Sequence, residues 1–133
     1  MADYTIKNLR EIEDSAPKFG LAPAMQARFA GGDLELSESG VSLQRLAPDA
    51  VQPFGHRHGR QEELYVVTEG SGRVKLDDEV IELSAFDAVR VAPRVTRAFA
   101  AGPEGLEFLV FGAPLVGSSP KDDVEPEPGW WNG

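Results

Sequence analysis

The sequence predicts an all-β chain, a sandwich or barrel of antiparallel strands. Three observations carry that prediction. Short segments of strand character recur at about 8–12-residue spacing. The 14 glycines and 10 prolines fall between them as turn punctuation. Helix signals are weak: residues 8–14 suit one turn, ended before Pro17, and residues 22–28 are ambiguous. The expected strands lie at 41–46, 64–68, 73–76, 80–83, 88–91, 95–100 and 106–111, with turns at 31–32, 39–40, 47–48, 53–55, 69–72, 77–78, 92–93 and 102–105. The tail after Gly112 is too rich in proline and acid for a core element, but its Trp130 and Trp131 are expected to dock, on this subunit or on a neighbour.

At 133 residues, 41 % hydrophobic and 26 % charged, the chain reads as one globular domain over residues 1–133, with a core at 41–111, an N-terminal arm at 1–40 and a C-terminal tail at 112–133. No apolar run reaches the roughly 20 residues of a membrane-spanning helix. The start, MADYTIKNLREIED, lacks the basic and apolar regions of a signal peptide, so a cytoplasmic location is expected. The formal charge of −9 repels phosphate backbones and anionic lipid, which makes nucleic acid and membrane poor partners. Zero cysteines exclude disulfides, thiolate-held metals and a cysteine nucleophile.

Chemistry concentrates in PFGHRHGRQEELYVVTEGSGR, which holds both histidines of the chain. Residues i and i+2 of a strand share a face about 7 Å apart, so His56 and His58 present two imidazoles together with Arg57 turned away. Gly59–Gln61 can reverse the chain and bring Glu63 back beside them. Two imidazoles and a carboxylate suit a divalent transition metal: iron, manganese, nickel, zinc or copper. A serine triad is excluded, because Ser15, Ser84, Ser118 and Ser119 have no histidine outside that pair. No glycine-rich phosphate loop is present: GSG at residues 70–72 opens no helix.

His56-x-His58, four residues, Glu63, six residues and Gly70 resemble the first sequence motif of the cupin superfamily, and the similarity runs from about Val41 to Phe111. The resemblance implies a small antiparallel β-barrel of jelly-roll, double-stranded β-helix type, motif residues at the cavity mouth, and a homodimer. The second motif departs from the family pattern. Its first Gly falls on Phe86, Asp87 keeps the Asp, its Pro falls on Ala92 beside Pro93, its second Gly on Arg94, and its third histidine ligand on Arg97.

Two functions of different class follow. In one, His56, His58 and Glu63 hold the metal of a small enzyme of dioxygenase or isomerase type. Tyr65, Arg97 and Phe99 then bind a small acidic substrate, with Tyr65 and Arg97 the catalytic candidates. In the other, Arg97 displaces the metal and pairs with Glu63, leaving a non-catalytic barrel that binds a small ligand. Tyr65 shares the strand face of Glu63, either lining the cavity or packing in the core with its hydroxyl on a backbone group. Phe86 is expected to plug the barrel end or cover an interface. Glu62 should point outward, Arg57, Arg60 and Arg73 should be solvated or paired with acids, and Asp122–Asp123 should be a solvated tail.

Overall fold

The computed structural model describes residues 3–117 and 120–132, so Ser118 and Ser119 lie outside the described residues. Among the described residues eight strands form a curled antiparallel sheet: β1 (Met25–Phe29), β2 (Gly40–Leu46), β3 (Phe54–His58), β4 (Glu62–Leu76), β5 (Glu79–Ser84), β6 (Ala88–Val91), β7 (Arg97–Ala113) and β8 (Val124–Pro128). The only helices among these residues are 3₁₀ turns, at Leu9–Glu11, Ala16–Phe19, Pro120–Asp123 and Trp130–Asn132. None of them is long and apolar enough to cross a membrane.

The curl is the work of β4 and β7. Residues 62–70 of β4 pair with 106–113 of β7, and residues 72–76 pair with 97–101, with register shifts between. Each strand thus crosses from one half of the sheet to the other. One half reads β1-β2-β7-β4-β6 and the second β8-β3-β7-β4-β5. Gly70 makes the corner possible. Its φ is +78°, and a Cβ there would stand 2.0 Å from the Gly105 carbonyl oxygen, so only glycine fits.

This corrects four expected strands to two. The glycine signals at 69–72 and 102–105 mark a bend inside paired strands, because the ladder resumes on the far side of each. The arm and tail are also more structural than expected. Residues 22–28 resolve into the approach to and most of β1, which pairs along β2, and Ala16 and Met25 join the core. The tail supplies β8, paired with β3 over five residues. Its Pro126 and Pro128 are tolerated because β8 is an edge strand, where a missing N–H breaks no second ladder.

The space between the halves is filled by Leu46, Tyr65, Val67, Val74, Phe99, Leu106 and Phe108, all buried. Phe99 stacks on Phe108 at 4.7 Å and meets Tyr65 at 4.7 Å, so an aromatic floor packs against Tyr65, whose hydroxyl reaches Glu63. Burying a ring of this size stabilises by about 1.5–3 kcal/mol. Phe86 does not plug the barrel. It stands 79 % exposed in the link between β5 and β6 at φ +70°.

Candidate functional site

His56 and His58 share one face of β3, their ring centroids 5.1 Å apart and nearly perpendicular. Glu63 reaches them from β4. The route differs from a simple reversal, since β3 pairs with β7 and β8 while β4 pairs with β5, β6 and β7. The three side chains meet between two strands that do not pair with each other rather than along a hairpin. One ligand atom from each lies within 4.8 Å of the other two.

Four groups crowd a single oxygen, Glu63 Oε1. The Tyr65 hydroxyl donates to it at 2.5 Å, the Nε2 atoms of His56 and His58 stand 3.3 Å away, and Arg97 Nη1 donates from 3.4 Å. The hydroxyl of Tyr65 is thus bonded to a side chain, not to the backbone group expected of a core tyrosine. Arg97 is fully buried beside His56, its partner across the β3–β7 register, and Nη2 donates to the Ala92 carbonyl at 2.9 Å. Phe99 belongs to the aromatic floor, 1 % exposed.

Burial opposes charge on Glu63, but the two imidazoles that face Oε1 favour the anion and prevail, holding the carboxyl well below its ordinary range. Burial, helped by Arg97 and His58 and opposed by Glu63, lowers the pKa of His56, so its imidazole is neutral near pH 7. Burial and the Glu63 charge raise the Tyr65 phenol, which stays protonated as a donor. An anionic carboxylate and a neutral imidazole are the forms that ligate metals.

His58 carries the most informative contact. The ring is 4 % exposed, and neither nitrogen makes a hydrogen bond of normal geometry. Nε2 faces Glu63 Oε1 at 3.3 Å and Nδ1 faces Asp123 Oδ2 at 3.4 Å. Each ring nitrogen thus faces a carboxylate oxygen without a matching hydrogen bond, and a cation held between Nε2 and Glu63 would serve both. The donor set and this buried, unpartnered nitrogen fit a divalent metal.

Asp123, expected in a solvated tail, instead stands behind His58. Its carboxylate accepts the backbone N–H groups of Arg60 at 3.0 Å and Gln61 at 2.8 Å, and its backbone carbonyl accepts from Gly59. Those N–H bonds and His58 outweigh burial and lower its pKa. The alternation in VEPEP, with its exposed and paired positions, was the available signal for a strand there. Glu62 does point outward, near Arg90. Arg57 pairs with Glu125 and Glu127 on β8, and Arg73 lies over the Trp131 ring. Trp130 docks against Gly55 and under Lys75, whose ammonium is 4.7 Å from the ring.

The cupin domain family matches residues 42–112, more than half of the chain. The chain belongs to the cupin family. Among solved structures it is similar to a cupin protein from Bacteroides fragilis, at 27 % identity over 92 % of this chain and 96 % of that one, with a TM-score of 0.71. It is also similar to oxalate decarboxylase from Bacillus subtilis (23 % identity, 91 % of this chain and 32 % of that one, TM-score 0.72). A third likeness is to a sugar phosphate isomerase of the cupin superfamily from Silicibacter pomeroyi (19 %, 93 % and 92 %, TM-score 0.69). The last two likenesses show the shared fold. A comparison with curated proteins returns no match. In this cupin the guanidinium of Arg97 reaches the same glutamate that faces the two histidines.

Proposed function

We propose that this cupin is a small-molecule metalloprotein in which His56, His58 and Glu63 hold one divalent transition metal, and that it is an enzyme of dioxygenase or isomerase type acting on a small acidic substrate. The observation that carries the reading is the buried Nε2 of His58, unpartnered and facing Glu63 beside His56. A divalent transition metal bound there supplies Lewis acidity and open coordination positions. Arg97 is a fixed cation whose planar fork suits a carboxylate or phosphate, and Tyr65 donates a hydrogen bond from a phenol that stays protonated. Phe99 and Phe108 keep water from the floor beneath them. By their names, the similar oxalate decarboxylase and sugar phosphate isomerase act on small anions, the class that Arg97 suits.

A second reading has its own support. Arg97 Nη1 is 3.4 Å from Glu63 Oε1, and a buried guanidinium that close repels a divalent ion in a low-dielectric cavity. The barrel then binds an organic ligand without metal. Elemental analysis of protein purified without a chelating tag separates the two, with His56→Ala as the blank. About one equivalent of metal, absent from the variant, supports the metalloprotein. Less than about a tenth of an equivalent after incubation with iron, manganese, nickel, copper and zinc overturns it.

The same reading has the cupin working in the cytoplasm as a single-domain homodimer, a second copy covering the outer face where Leu64 and Phe111 are exposed. Light scattering that gives the mass of one chain at every concentration overturns the dimer.

A further inference from the structure

We propose that Asp123, carried by the C-terminal segment, is the positioning residue of His58: it takes the Nδ1 hydrogen and so turns a bare Nε2 toward His56 and Glu63. This rests on the metal reading of the site and adds a part of the chain that lies beyond the matched cupin region, which ends at residue 112. A carboxylate behind a ligating histidine sets which nitrogen bears the hydrogen and strengthens the other as a donor. Asp123 Oδ2 is 3.4 Å from Nδ1, a charged contact in reach of that nitrogen although not a hydrogen bond of normal geometry.

The carboxylate is itself held in place. Two backbone N–H groups, of Arg60 and Gln61, bond it from the loop that follows β3. Gly59 lets it come close, since a Cβ there would stand 2.8 Å from Oδ1. Immediately after Asp123 the chain enters β8, which runs along β3 with Val124 opposite His58 and Pro126 opposite His56. Ion pairs hold β8 in place: Arg57 on β3 to Glu127 at 2.8 Å, and Arg94 in the link before β7 to Glu125 at 2.7 Å. Trp130 packed on Gly55 and bonded through its carbonyl to Lys75 anchors the end. The tail therefore grips the strand that carries both histidines and delivers one carboxylate to the ring that needs it.

The test uses the full chain with and without zinc. In metal-free wild type, ¹⁵N NMR of the His58 ring should show hydrogen on Nδ1 and none on Nε2. Asp123→Asn replaces a charge-assisted acceptor with a neutral one and should shift this tautomer balance, lowering zinc affinity about tenfold. Asp123→Ala should lower it up to about 100-fold. A wild-type ring with its hydrogen on Nε2, or an Asp123→Asn protein with unchanged tautomer and zinc affinity within about twofold of wild type, overturns the proposal. Should wild type bind none of iron, manganese, nickel, copper and zinc, the metal reading fails on its own, and the tautomer of His58 in wild type and Asp123→Asn still decides the role of Asp123. If Asp123→Ala does not fold, the Asn variant and the wild-type spectrum decide it.

Discussion

Two buried glutamates stand on opposite faces of one half of the sheet and lead different lives. Glu107, on the outer face of β7, is 2 % exposed and fully served. Arg10 grips its two oxygens at 2.8 and 3.0 Å, the Thr68 hydroxyl donates at 2.8 Å, and Arg45 lies 3.7 Å away. Every partner has a complementary hydrogen to offer. Glu63, on the inner face of β4, gathers a phenol, a guanidinium and two imidazole nitrogens around one oxygen. At least one of those imidazoles has no satisfied nitrogen. Full satisfaction marks a carboxylate that fastens the N-terminal arm to the barrel. Crowding around one oxygen, with an orphaned ring beside it, marks a site arranged for something else.

The sharpest way to break this contrast is to remove each charge in turn. Glu63→Gln should cut metal affinity at least about 100-fold, and in the metal-free protein it should cost about 3 kcal/mol, because buried Arg97 loses its counter-charge. Metal titration and urea unfolding measure the two effects separately. Retention of wild-type metal content in that variant would show that Glu63 is no ligand.

Arg97→His places a third imidazole beside His56 and removes the buried cation. Metal affinity should rise about tenfold or more over wild type, read by competition with a chelator. A fall would mean that Arg97 supports the site rather than opposing it.

Glu107→Gln is the matching change on the outer face. It should destabilise by about 1–2 kcal/mol, discounted for the 62 % exposure of Arg10, and leave metal stoichiometry at its wild-type value. Unfolding midpoints and elemental analysis on the same preparation check both halves.

The smallest effect is one of pH. Burial opposes the charge on Glu107, but the bonds from Arg10 and Thr68 prevail and hold its pKa below the ordinary value. A lowered carboxyl pKa contributes stability that is present above the unfolded value, about 4.3, and is lost as pH falls through the folded value. The stability gap between wild type and Glu107→Gln should therefore be full at pH 7 and narrow below about pH 4. A gap that stays constant to pH 2 would mean that packing, not charge, sets the contribution of Glu107.

Much of the molecule was legible in the residue order. Strand segments flanked by glycine and proline announced an all-β chain, and the matching parity of His56 with His58 and of Glu63 with Tyr65 set which side chains share a face, because side-chain direction along a strand has a period of two. That parity is local, and local rules survive folding. The spacing to Gly70 likewise pointed to a place where only glycine fits, although the sequence alone could not say whether it ended a strand or bent one.

What only the tertiary structure decided were the meetings between segments far apart in the chain. The return of Glu63 beside the histidines and its pairing with Arg97 were expected, but that Glu63 arrives from a strand not paired with β3, that Arg97 stands opposite His56, and that Asp123 comes back behind His58 depend on how β4 and β7 turn the corner and on which strand β8 joins. No periodicity encodes such pairings. They are settled by packing the aromatic floor and by matching buried charges to partners, which is a property of the closed sheet as a whole.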